Sequence, residues 1–141
     1  MTNPLPTITA FAGTNIALVK YWGKRDKALN LPAAGSLSLT LAELGSQTRV
    51  RFIPERGDTP DVVILDEAPA PEPFCKRVHS FLNLVRHRAG IQFAAEVHTH
   101  NSVPTAAGLA SSAAGFAALA LAASRAAGLH LSTDELSELA R

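Results

Sequence analysis

Cysteine is nearly absent from this sequence: Cys75 is the only one in 141 residues. A single thiol excludes an internal disulfide framework and a multi-cysteine zinc site, and it fits a reducing cytoplasm, where Cys75 reads as a helix residue rather than a catalytic thiol. Net charge is almost missing too. The 13 basic and 12 acidic side chains leave +1 at pH 7. With no block of like charges, nothing draws the whole chain to nucleic acid or to an anionic membrane. Any anion site must be local. The opening MTNPLPTITA has no basic region ahead of a long apolar run, so no secretory leader is expected. One uncharged stretch, Ala106 to Ser124, approaches the thickness of a bilayer. Alanine, glycine and serine dominate it, however, and neither an aromatic belt nor a basic cluster flanks it, so a soluble helix is expected and a membrane span is not.

What is present is a core. A hydrophobic fraction of 47% against 18% charged suits one compact domain over residues 1–141 and excludes a disordered chain. The first half reads as about five short strands: TITAFAG from Thr7, IALVKYWG from Ile16, SLSLTL from Ser36 to Leu41, TRVRFI from Thr48 to Ile53, and VVIL from Val62 to Leu65. Pro54 to Asp61 reads as a turn. Asp66 to Pro73 reads as a surface connection, because its prolines deny hydrogen bonds to helix and sheet.

From Phe74 the period changes. Phe74, Val78, Phe81, Leu82 and Val85 recur at helical spacing and Gly90 supplies a stop. Phe93 to His100 returns to strand, a loop runs from Asn101 to Gly108, and a long alanine-rich helix reaches about Ala127. Ser132 and Glu135 form a capping-box pair that starts another helix. That helix meets Arg141 with about two turns made and no C-cap, so the sequence is expected to stop inside an element. Strands, a helix, a strand and then helices make an α+β arrangement.

The chemistry gathers in NSVPTAAGLASSAAG. Pro104 and Gly108 bracket a loop of small residues, and Leu109 to Ala113 form the first turn of the helix that follows. Backbone N–H groups there lack partners within the helix, and the helix dipole adds partial positive charge. Small side chains let a phosphate approach the backbone, and the Ser111 and Ser112 hydroxyls can donate to phosphate oxygens or help hold magnesium. No acidic residue lies between Asn101 and Ser124. The lysine of a Walker A loop is missing, so another loop class is required. An alanine-rich helix packed closely on a sheet, with its serines bonded back to their own turn, explains the same composition equally well. Residue chemistry alone leaves both readings open.

As PTAAGLASSAAG, Pro104 to Gly115 resembles the phosphate loop of the GHMP kinase superfamily of small-molecule kinases. NIALVKYWGKRD, Asn15 to Asp26, followed by LNLP at Leu29 and SLSLTL at Ser36, resembles the amino-terminal signature of the diphosphomevalonate decarboxylases within it. Both motifs stand in the expected order, and the likeness runs over essentially the whole chain. The resemblance implies an amino-terminal GHMP kinase domain of ribosomal protein S5 domain 2-like fold, incomplete here and lacking the carboxy-terminal domain. It also implies ATP-dependent decarboxylation of (R)-5-diphosphomevalonate to isopentenyl diphosphate, with Mg²⁺ as the companion ion, by a cytoplasmic enzyme that is a homodimer at full length. No nucleic-acid partner is implied.

Residue by residue, the likeness assigns Tyr21, Trp22, Gly23 and Lys24 to substrate binding and places Lys20 near the reacting centre. It makes Asn15 a substrate-orienting amide and Arg77 a grip on the diphosphate. Pro104, Gly108, Leu109, Ala110, Ser111, Ser112 and Ala113 become nucleotide ligands, with Ser112 also the magnesium contact. Without the family, Lys20 and Lys24 read as ordinary surface charges. The chain departs from the pattern at Ala34, Gly35 and Ser36, where many members have asparagine and two serines. None of Asp26, Asp58, Asp61, Asp66 and Asp134 matches the family's catalytic aspartate, so the 141 residues alone are expected not to turn over. The five histidines show no ligand spacing beyond His98 and His100 on one strand face, and no metal site is expected there. Two other readings stand beside this one: a phosphomevalonate decarboxylase or mevalonate 3-kinase, and a non-catalytic nucleotide-binding module.

Overall fold

A computed structural model describes residues 5–19, 23–28, 31–56, 59–102 and 111–140, the side chain of Ser111 excepted. Two long strands dominate the first half: β1, Ile8–Val19, and β4, Leu37–Ile53, pair antiparallel along nearly the whole length of β1. The small hairpin β2, Lys24–Asp26, and β3, Leu31–Pro32, lies between them in sequence. β5, Val62–Leu65, and β6, Ala68–Pro69, form another hairpin. Helix α1, Glu72–Ala89, then leads to β7, Ala94–Asn101, and helices α2, Ser111–Ala126, and α3, Thr133–Leu139, complete the order.

The main sheet runs β1-β4-β7-β5-β6, antiparallel throughout except for the parallel β5–β7 pair that α1 connects. The α+β expectation therefore holds, but two pairs of expected strands are single strands. Gly13, at the end of the first expected strand, and Gly45, in the gap between SLSLTL and TRVRFI, stand opposite each other where the register shifts, and a Cβ on Gly45 would lie 2.1 Å from the carbonyl oxygen of Ala12. Glycine here marks a bulge and a close backbone approach, not an end.

Asp66 to Pro73 also departs from expectation. Asp66 and Glu67, with φ of 48° and 67°, make a tight turn whose two left-handed residues suit the strand twist, and Pro69 sits in the last strand of the sheet. An edge strand spares Pro69 the ladder bond it cannot donate.

Sheet alternation fixes what the helices cover. Ala10, Thr48, Val50, Phe52, Val63, Ala95, Val97 and Thr99 are buried, and all but the two threonines join one core with Val78, Phe81, Leu82 and Val85 of α1. The buried hydroxyls of Thr48 and Thr99 satisfy each other at 2.8 Å. Their strand neighbours Arg49 and His100 are exposed on the opposite face. Helix α2 presents Ala118, Ala120, Ala122, Ala123 and Ala126 as buried residues and packs against β1 and β4. Its small side chains let the helix axis approach the sheet, so the packing reading of the alanines is correct as far as it goes.

Candidate active site

The first motif is placed by β1 and the β2–β3 hairpin. Asn15 lies on β1 opposite Thr40 of β4, exposed, and both ends of its amide are engaged. Nδ2 donates to Ser38 Oγ at 2.9 Å, and Thr40 Oγ1 donates to Oδ1 at 3.2 Å. These contacts assign the amide's two ends and restrict its rotation. The alternation of SLSLTL signals a strand, but it does not say that Ser38 and Thr40 would flank an asparagine across the ladder.

Gly23 has φ of 89°, a left-handed value that favours glycine, and its carbonyl accepts from Ala33 N at 3.3 Å to close the hairpin. Lys24 opens β2 and is exposed, with no carboxylate partner among the described residues. Lys20, Tyr21 and Trp22 lie outside the described residues.

The second motif is described from α2 onward. Pro104, Gly108, Leu109 and Ala110 lie outside the described residues, as does the side chain of Ser111. Ser112 and Ala113 stand exposed in the first turn of α2. The first turn of a helix in general carries N–H groups without helical partners, the feature that makes a helix start receptive to anions. The loop's approach is fastened to the sheet. Ser46 Oγ donates to Asn101 Oδ1 at 2.5 Å, and the backbone N–H of Gly45 donates to Ser102 Oγ at 2.7 Å.

A cleft of about 660 Å³ joins the start of α2 to α1. Arg77, Ser80, Phe81, Ser112, Ala113 and Phe116 line it together with Lys76, Leu84 and the end of α3 at Leu139 and Ala140, and among the described residues no carboxylate does. Two residues singled out on different helices, Arg77 and Ser112, therefore share one concavity. Asn15, Gly23 and Lys24 do not line it. Arg77 is exposed, and its guanidinium carbon lies 4.8 Å from the centre of the Phe116 ring. Phe116 carried no signal of its own in the sequence, where it reads as one apolar residue in an alanine-rich helix.

A second concavity of about 390 Å³ holds Asp61, His79, Asn83 and Arg86. Its polar groups are already engaged. The Asp61 carboxylate, 4% exposed, accepts from Arg86, from Ala95 N at 2.8 Å and from His79 Nδ1 at 2.7 Å. Arg86 also donates to Asn83 Oδ1 at 2.8 Å and to the carbonyl of Phe93 at 2.9 Å. This network ties α1 to β7, and Asp61 is its anchor rather than a plain turn residue.

Residues 12–141 match the model of the diphosphomevalonate decarboxylase-like N-terminal domain. The chain belongs to that family. A diphosphomevalonate decarboxylase of Bos taurus is 37% identical over 154 residues, which cover 98% of this chain and 37% of that protein. Among solved structures, the mevalonate diphosphate decarboxylase of Staphylococcus aureus superposes with a TM-score of 0.86 at 44% identity, covering 96% of this chain and 40% of that one. A further decarboxylase structure, MDDEF in complex with MVAPP, AMPPCP and magnesium, gives 0.80 at 48% identity over 96% of this chain and 41% of that one. The family's fold is thus the fold seen here, while the chain spans about two fifths of the length of these relatives.

Proposed function

We propose that this chain supplies the amino-terminal nucleotide- and substrate-binding part of a diphosphomevalonate decarboxylase, which converts (R)-5-diphosphomevalonate to isopentenyl diphosphate at the expense of ATP. The observation that carries this is the cleft shared by Arg77 and Ser112 beside the first turn of α2, which no carboxylate lines among the described residues. Phosphate chemistry fits these residues: an exposed guanidinium with no carboxylate partner among the described residues, an exposed hydroxyl, and a helix start. A relative caught with MVAPP, AMPPCP and magnesium is consistent with that chemistry.

Bound Mg-ATP would supply the phosphoryl group that turns the tertiary C3 hydroxyl into a leaving group. Everything else asked of this chain is positioning and charge. In our reading Arg77 and Lys24, with Tyr21, Trp22 and Gly23, hold the substrate diphosphate. Asn15, its amide set by Ser38 and Thr40, orients the substrate, and Lys20 offsets charge as it shifts. Ser112 donates to a nucleotide phosphate and takes part in holding Mg²⁺, and the loop through Pro104, Gly108, Leu109, Ala110, Ser111 and Ala113 lets the phosphates approach the backbone. The assignments to the cytoplasm and to a homodimer rest on the resemblance alone. No helix among the described residues is long and apolar enough to cross a membrane.

The experiment is a pair of substitutions in the complete enzyme. Ser112→Ala raises KM for ATP more than KM for diphosphomevalonate, whereas Lys24→Ala weakens the diphosphate by roughly 1.5 to 3 kcal/mol, the scale of a charged hydrogen bond. Equal effects of each variant on both ligands would remove this division of labour. Tighter calorimetric binding of the monophosphate than of the diphosphate would replace the substrate.

A further inference from the structure

Arg77 is an unusual cation for its surroundings. Its neighbour Lys76 pairs with Glu72 at 2.6 Å, one helical turn away, so that charge is matched on the same helix. Arg77 has no carboxylate partner among the described residues and instead lies over the Phe116 ring of α2. An exposed arginine otherwise spreads over many rotamers, and ordering it costs side-chain entropy.

The ring that meets it is itself fixed. Phe116 packs edge-on against Phe74, with centroids 6.5 Å apart at 62°, and against Phe81, at 5.8 Å and 73°. Phe74, Arg77 and Phe81 follow one another at i, i+3 and i+7 on a single stripe of α1, so the two phenylalanines bracket the arginine. Phe116 also follows Ser112 by one turn of α2, and both line the cleft that Arg77 enters.

Holding a guanidinium over an aromatic ring differs from pairing it with a carboxylate. A carboxylate partner would consume the in-plane N–H donors and cancel the charge. An aromatic face orients the group while leaving those donors for a planar, bidentate anion. We propose that Phe116 is a positioning residue for Arg77: the ring face, locked by Phe74 and Phe81, presents the guanidinium to the diphosphate end of the substrate within the cleft. This rests on the reading of Arg77 as a diphosphate ligand given above.

Steady-state kinetics of the complete enzyme test it. Phe116→Leu, which keeps an apolar side chain and removes the ring, is expected to raise KM for diphosphomevalonate roughly three- to ten-fold while kcat and KM for ATP stay within about two-fold. Phe116→Tyr, which keeps the ring, restores the KM. In the Arg77→Ala background, Phe116→Leu adds nothing further. If the leucine variant does not fold, Phe116→Met carries the same expectation.

The outcomes separate the two ideas. An unchanged KM in Arg77→Ala would overturn the reading of Arg77, and the positioning claim with it. A raised KM in Arg77→Ala beside a normal one in Phe116→Leu would overturn the positioning claim alone. So would a Phe116→Tyr variant as impaired as the leucine, or losses in the double variant that simply add.

Discussion

At the residue scale, the glycines were legible in kind but not in meaning. An isolated glycine in a strand pattern marks a bulge or a close backbone approach, yet the expected strands left Gly13 at an end and Gly45 in the gap between two of them. What decides their role is the strand opposite, which no local window contains. A Cβ on Gly45 would meet the Ala12 carbonyl oxygen at 2.1 Å and the Gly13 Cα at 2.9 Å, all of it backbone that cannot swing aside. Gly45→Ala is therefore expected to cost about 1–3 kcal/mol or more, as overpacking at a fixed contact does. Gly35→Ala, whose Cβ would meet nothing within 4 Å, should fall within about 0.5 kcal/mol of wild type. Chemical denaturation of the two variants checks the contrast, and equal losses would show that the β1–β4 contact is looser than drawn. The site residues divide in the same way. The family likeness marked Asn15, Arg77 and Ser112, and SLSLTL marked Ser38 and Thr40 as strand residues but not their contacts with Asn15 across the ladder, while Phe116 had no local signature.

At the scale of elements, the helices were read best where two independent signals agreed. For α1, the apolar stripe and Gly90 pointed the same way, and Gly90 does take the left-handed conformation at the C-cap with its N–H bonded to the carbonyl of Arg86. The start of α3 was equally legible because a capping box is written in four consecutive residues. Ser132 N donates to Glu135 Oε2 at 2.8 Å, and Glu135 N donates to Ser132 Oγ at 3.3 Å. The backbone N–H of Ser132, followed by its hydroxyl, holds the Glu135 carboxyl below the usual glutamate range. A carboxyl with a lowered folded value contributes its stability above the unfolded value and loses it as pH falls through the folded one. Protection factors of the α3 amides, with the intrinsic pH dependence of exchange divided out, are therefore expected to fall on acidification from about pH 5 downward, while Glu135→Gln flattens that dependence. Equal acid sensitivity in both proteins would assign the effect to another group. By contrast, β6 escaped the sequence because proline argues against a strand. Only its place at the sheet edge makes Pro69 harmless.

At the scale of the whole molecule, composition pointed to a single cored domain, but alternation alone did not tell which residues a strand would bury, since Leu37 and Leu39 of the alternating SLSLTL run are exposed. Strand order was out of reach, since the β1–β4, β4–β7 and β5–β7 pairings join segments far apart in sequence. One large-scale feature was visible in the sequence as strand and invisible as surface. Where β1 and β4 run out together, Val19 pairs with Leu37 and Ile16 with Leu39, and Leu18, Val19, Leu37 and Leu39 are all more than half exposed. Scattered apolar residues on a surface need no explanation, but four on adjacent strands form a contiguous patch of the sort that drives association. The patch lies away from the core cluster, which includes none of these four residues. Replacing Leu37 and Leu39 with serine should therefore leave the unfolding midpoint nearly unchanged while lowering both hydrophobic-dye binding and the sedimentation-detected self-association of the 141-residue chain. A large drop in the midpoint would instead mean that the ribbon end stabilises the fold in a way its exposure does not reveal. Unchanged dye binding would move the sticky surface elsewhere, with the α1 side of the cleft, where Leu84 is 55% exposed, the next place to look.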